Sequence, residues 1–197
     1  MRKIFILFLF SIEVLYSQTR EFKLGLYIRD NTKKMQQIEP TVISDKNINI
    51  LFMPFFEKPN MTVYLDKKQT VLFTHTDKPE FFLFMPSPKD TVPLDALNVS
   101  NLIKNYPLAY ASSANDFVLI RLFDMKRGKA LRLEKQKLIY GSKMDFFKED
   151  KIEFNAIQID DGFFKIEMPT PLQKGDYGFI YNKPTPYDIV IYHFQIQ

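Results

Sequence analysis

The sequence contains no cysteine and no tryptophan, only 6 glycines and only 2 histidines. Without cysteine there is no disulfide framework, no thiolate zinc or iron–sulfur site, no cysteine nucleophile and no lipid-modified N-terminal cysteine. Six glycines are too few for a glycine-rich phosphate loop. His75 and His193 fall short of the three or four ligands that zinc takes, so a metal would have to recruit carboxylates as well. No serine lies in a Gly-x-Ser-x-Gly elbow, and the acids Glu149, Asp150 and Glu153, with Asp160 and Asp161, lack the spacing of a calcium loop. No catalytic residue, cofactor site or metal site is therefore assigned from the sequence. Two dispersed histidines are expected to be exposed or hydrogen-bonded surface residues.

What the chain does have is an ordinary globular balance, 46% hydrophobic and 25% charged, with 20 Phe, 10 Tyr and a formal net charge of +4 over 197 residues. That composition argues against intrinsic disorder. Arg2 and Lys3 precede the apolar run Ile4 to Phe10, which gives way to small or polar residues at Ser11 and Ser17. This is the layout of a secretory signal peptide, so residues 1–17 are expected to be removed and the mature chain to begin Gln18-Thr19-Arg20. The apolar run is far shorter than the roughly 20 residues of a spanning helix, and no later segment approaches that length, so no transmembrane segment is expected in the mature chain. A domain of this size buries roughly 70% of the surface of its unfolded chain and can hold a core without staples.

From Phe22 onward the hydrophobic period is two. Phe22, Leu24, Leu26 and Ile28 alternate with Lys23, Gly25, Tyr27 and Arg29. Met35 to Ile43, interrupted at Pro40, can return as a second strand, and short runs follow at Ile48 to Met53, Met61 to Leu65, Thr70 to His75 and Phe81 to Met85. Short strands of this kind, bounded by Pro, Asn, Asp or Lys, point to a β-sandwich or barrel. Residues 87–114 differ: they hold Pro88, Pro93 and Pro107, and the spacing of Leu94, Leu97, Leu102 and Ile103 suits a connection with a short helix. The period of two resumes at Phe117 to Phe123, Ala130 to Tyr140, Ile152 to Ile159, Phe163 to Met168, Gly175 to Tyr181 and Asp188 to Ile196. Asp160-Asp161-Gly162 is a hairpin signal between two of these. In the last strand Val190, Tyr192, Phe194 and Ile196 share one face and His193, Gln195 and Gln197 the other, so one side is expected to meet the core and one water. The expected organisation is a leader over 1–17, an N-terminal β-subdomain over 18–86 packed against or joined with the rest, the connection 87–114, and a β-sandwich over 115–197.

Leu172, Gly175 and Tyr177, in the run Pro171-Leu-Gln-Lys-Gly-Asp-Tyr177, resemble the tyrosine corner of immunoglobulin-like and fibronectin type III sandwiches. The resemblance implies that the sandwich over 115–197 is immunoglobulin-like, with an inward leucine, a glycine at the corner, and a tyrosine hydroxyl bonded back to the connecting backbone; it implies no activity. More broadly, the leader ending in Ser-Gln, Leu26-Tyr27, Glu39-Pro40, Lys78 to Phe84, Asn115 to Leu119 and Leu172 to Tyr177 are similar to small uncharacterised exported β-proteins of Bacteroidota. That similarity implies export and an all-β fold.

Seven basic residues lie between Arg121 and Lys137 against Asp124 and Glu134. An exported protein is not expected to bind nucleic acid; anionic glycans or lipid headgroups suit such charge, as does protection of a sheet edge. The runs Phe52-Met-Pro-Phe55-Phe56 and Phe81 to Phe84 are apolar on both sides of an extended chain. The second suits a central strand covered twice, whereas Phe52, Phe55 and Phe56, broken by Pro54, form a candidate interaction surface. The function expected from these features is an exported, non-catalytic interaction or structural module of the cell envelope, binding an envelope protein or a glycan. The alternatives are a carbohydrate-binding module, against which the absence of tryptophan counts, and a small hydrolase of envelope polymers.

Overall fold

Alternation of apolar and polar residues becomes strand after strand in the computed structural model, which describes residues 24–29, 34–43, 48–51, 60–65, 71–86, 107–126, 128–137, 142–182 and 189–197. In the N-terminal part these are β1 (Gly25–Arg29), β2 (Met35–Ile38), β3 (Pro40–Ile43), β4 (Ile48–Leu51), β5 (Asn60–Tyr64), β6 (Leu72–Thr74) and β7 (Glu80–Phe84). The C-terminal part adds β8 (Phe117–Met125), β9 (Gly128–Lys137), β10 (Ser142–Phe146), β11 (Lys151–Ile152), β12 (Asn155–Asp160), β13 (Phe163–Glu167), β14 (Gly175–Tyr181) and β15 (Ile189–Ile196). The leader 1–17 and Phe52, Phe55 and Phe56 lie outside the described residues, as does the connection 87–114 up to residue 106. What is described of that connection is one helical turn over 107–110 and a short 3-10 turn, Ala114–Asp116, capped by the Ser113 side chain.

The strands form two sheets, and the fold is an all-β sandwich. The smaller has the order β12-β13-β7-β1-β2, and the larger runs β3-β15-β14-β8-β9-β5-β4, with β6 beside β15, β11 beside β8 and β10 beside β9. Strands from 18–86 and from 115–197 pair with one another in both: β7 with β13 in the small sheet, β3 and β6 with β15 and β5 with β9 in the large one. Pro40 marks the crossing. The run Met35 to Ile43 is not one returning strand but two, because the chain leaves β1 after Ile38 and joins β15 from Pro40 onward. Proline lacks the N–H that would continue the first ladder, so the change of sheet falls where it costs least.

One core lies between the sheets. Leu26, Ile28, Phe81, Leu83, Phe164 and Ile166 of the small sheet meet Phe117, Leu119, Tyr177, Phe179, Tyr192 and Phe194 of the large one. Phe81 sits on the central strand β7 with its ring 5.1 Å from Phe179 and 4.8 Å from Phe194. The alternate residues of the same strand, Phe82 and Phe84, are buried on the outer face with Tyr27, where Phe84 stacks on Phe163 at 4.3 Å. A strand apolar on both sides is thus covered on both sides.

A second core forms on the other face of the large sheet from Ile43, Val63, Leu65, Ile120, Leu122, Leu131, Leu133, Phe146, Ile180 and Ile191. Nearly all of these belong to strands of that one sheet, from β3 to β10, so the sheet curls over on itself. Gly178 permits a close approach within it: a Cβ there would lie 2.5 Å from Ile191 Cγ1, so a larger residue would force that fully buried isoleucine to shift.

Within the intersheet core, Tyr192 Oη is buried without a hydrogen-bond partner among the described residues, and burial pushes its ionisation far above the ordinary tyrosine range. An unpaired buried hydroxyl is destabilising, so Tyr192→Phe is expected to stabilise the protein by about 1 kcal/mol, read as a higher urea midpoint with unchanged slope. A lower midpoint would mean that the hydroxyl has a stabilising partner.

Candidate functional site

The three residues of the corner motif occupy one bend. Leu172 is buried in the intersheet core, Gly175 opens β14 at φ +149°, and the Tyr177 hydroxyl donates to the Gln173 carbonyl at 2.8 Å. The Leu172 N–H in turn donates to the Asp77 carbonyl at 2.7 Å, tying the bend to the segment after β6. These groups hold structure; none is arranged around a reacting atom.

The polar groups that do converge lie on the face of the large sheet that carries the second core, at one end of it. His193, expected on a wet surface, is 6% exposed, and its Nε2 lies 2.9 Å from Asp176 Oδ1, a carboxylate 4% exposed. The expectation of water on that side of β15 is corrected by the curl of the sheet, which gives both faces of the strand a neighbour. His75, in contrast, is exposed. Asp176 also accepts from Lys129 Nζ at 2.6 Å and from Gln195 Nε2 at 3.3 Å, and Lys129 bridges onward to the exposed Asp124 at 2.6 Å. Register explains the meeting: Asp176 is the Cα partner of Gln195, His193 of Gly178, and Asp124 of Lys129. Parallel pairing of β6 with β15 then sets Phe73, 53% exposed, beside Gln195 on the same face.

The electrostatics follow from these contacts. Burial works against the charge of Asp176, but the bonds from His193 and Lys129 outweigh it and hold the carboxyl below its ordinary value of 3.8. Burial likewise opposes the charge on Lys129, and the bonds to Asp124 and Asp176 carry its ammonium above the usual lysine value. A carboxyl whose pKa is lower folded than unfolded contributes stability that is complete above its unfolded value and is lost as pH falls through the folded one. Urea unfolding is therefore expected to show wild type exceeding Asp176→Asn at neutral pH, with the gap closing from about pH 4 downward. A gap constant down to pH 2 would show that the ionised carboxylate contributes nothing (a span of about 2 units below the ordinary carboxylate value).

The basic run is organised differently from the edge guard expected of it. β9 is central, paired with β5 on one side and with β8 and β10 on the other. Arg132 on β9 forms a bidentate pair with Asp150, 2% exposed, at 3.0 and 2.5 Å, and its guanidinium carbon lies over the rings of Phe123 and Phe147, at 4.3 and 5.0 Å from their centroids.

An exposed edge among the described residues lies elsewhere. β12 closes one side of the small sheet, and Ile157 and Ile159 on it are 46% and 47% exposed. Its register against β13 breaks between Gln158 and Asp160, leaving Asn155 to Gln158 as the regular stretch. Compared with family models, with curated proteins and with solved structures, the chain matches none.

Proposed function

We propose that the protein is an exported, non-catalytic interaction module of the cell envelope, and that a protein partner adds an extended segment to β12. The observation that carries this is the edge itself. Among the described residues β12 pairs only with β13, so its outer side presents a row of backbone donors and acceptors, and two half-exposed isoleucines give a partner strand apolar side chains to pack against. The bulge between Gln158 and Asp160 limits regular pairing to a short stretch, as edges that must avoid indiscriminate sheet growth do. Export is supported by Arg2-Lys3 ahead of Ile4 to Phe10 and by Ser17, and the Tyr177–Gln173 bond supports an immunoglobulin-like character for the C-terminal half. No helix among the described residues is long and apolar enough to cross a membrane.

A photo-crosslinking residue at Ile157, with the same residue at the exposed Tyr110 as control, tests the proposal in cells. The expected result is one envelope-protein adduct from position 157, absent from position 110 and abolished by Ile159→Asp, on a chain whose mass begins at Gln18. Equal adducts at both positions, or none at 157, would remove β12 as the contact.

A further inference from the structure

We infer a second contact surface, independent of the β12 edge: a patch for a neutral carbohydrate, formed by Phe73, Gln195, Lys129 and Asp124 above the buried Asp176–His193 pair. A sugar ring offers a face of C–H bonds and a rim of hydroxyls, and binding it takes an aromatic face beside polar groups that are held still. Phe73 supplies the aromatic side chain and is accessible. It stands in one row with Gln195 and Asp176 across β6, β15 and β14, so at about 5 Å per strand its backbone is about 10 Å from that of Asp176.

The polar side of the row has capacity left over. An ammonium has three protons; among the described residues Lys129 Nζ meets Asp124 and Asp176, two contacts that leave one proton for a ligand hydroxyl. Gln195 spends one amide proton on Asp176 and, among the described residues, keeps its carbonyl oxygen and a second proton. Asp124, 84% exposed, keeps acceptor positions beyond Lys129. Asp176 is the fixed point beneath them, gripped by His193, so the groups above it are oriented before a ligand arrives and less ordering is left to binding. Two carboxylates beside one ammonium give no strong field of one sign, which suits an uncharged polyhydroxylated ligand better than a phosphate or a metal ion.

The test titrates the full chain with neutral hexasaccharides of β-1,4- and β-1,3-linked glucose, β-1,4-linked xylose, β-1,4-linked mannose and β-1,4-linked N-acetylglucosamine, read by amide shifts in β6, β9 and β15. At least one is expected to bind with a millimolar or tighter Kd and to shift residues 73, 129 and 195. Phe73→Ala and Phe73→Leu are expected to weaken it at least about tenfold (~1.4 kcal/mol), whereas Phe73→Tyr keeps it. Phe73 is on the surface, so these variants fold. Ile157→Asp leaves sugar binding unchanged, which separates the failure of either surface from the other. No shift in these strands with any of the five sugars, or full binding by Phe73→Leu, overturns the inference.

Discussion

Truncation of Phe81 to alanine is expected to lower the free energy of unfolding by about 3–5 kcal/mol. The ring is fully buried on the central strand of the small sheet and meets Phe179 and Phe194 of the large sheet edge-on and tilted. Around it Phe194 also stacks with Tyr177 at 5.7 Å and with Phe179 at 6.1 Å, so the cavity would open among rings fixed by their own neighbours, where collapse is hardest. Phe73→Ala removes the same group from a half-exposed site and is expected to change stability by no more than about 0.5 kcal/mol. Urea denaturation of the two variants beside wild type decides the matter. A cost for Phe81→Ala below about 1 kcal/mol would mean that the sheets are not joined through this residue.

Loss of Arg132 is expected to be nearly as damaging, at about 3 kcal/mol for Arg132→Ala. The partner left behind, Asp150, is 2% exposed and would keep a carboxylate in the protein with its bidentate donor gone. The value is set at the lower end of the range for broken buried pairs because Arg132 itself is about one-third exposed and water can reach its place. Part of the loss comes from the contacts of the guanidinium with Phe123 and Phe147. Arg132→Lys keeps the charge and loses the fork and the stacking, so it should fall between wild type and alanine. The double variant Arg132→Ala with Asp150→Ala should cost less than the two single losses added together, since no charge is then stranded. Additive losses, or a cost for Arg132→Ala no larger than the ~0–1 kcal/mol of an exposed pair, would contradict the geometry.

Several features were legible in the chain because they are local. The period of two in Leu26 to Arg29, Phe117 to Phe123 and Val190 to Ile196 appears as β1, β8 and β15. The doubly apolar Phe81 to Phe84 appears as the central strand β7, and Asp160-Asp161-Gly162 as the hairpin between β12 and β13. In each case the informative residues are next to one another, and the pleat or the turn follows from them directly. The polar side of β15 is where local alternation misleads. Whether a strand face meets water depends on what the sheet does beyond that strand, so alternation in β15 predicts a wet polar side where the large sheet curls over it.

The amino-acid sequence by itself determined that this chain forms strands and where most of them begin and end, because side-chain alternation acts within a few residues, whereas the change of sheet at Pro40 is a tertiary outcome. Only the tertiary structure decided which strands pair, and with that the meeting of Asp176 with His193, of Arg132 with Asp150, and of Phe73 with Gln195. Such neighbours are set by ladder register and sheet curvature, which arise from burial summed over the whole chain and not from any short stretch of it.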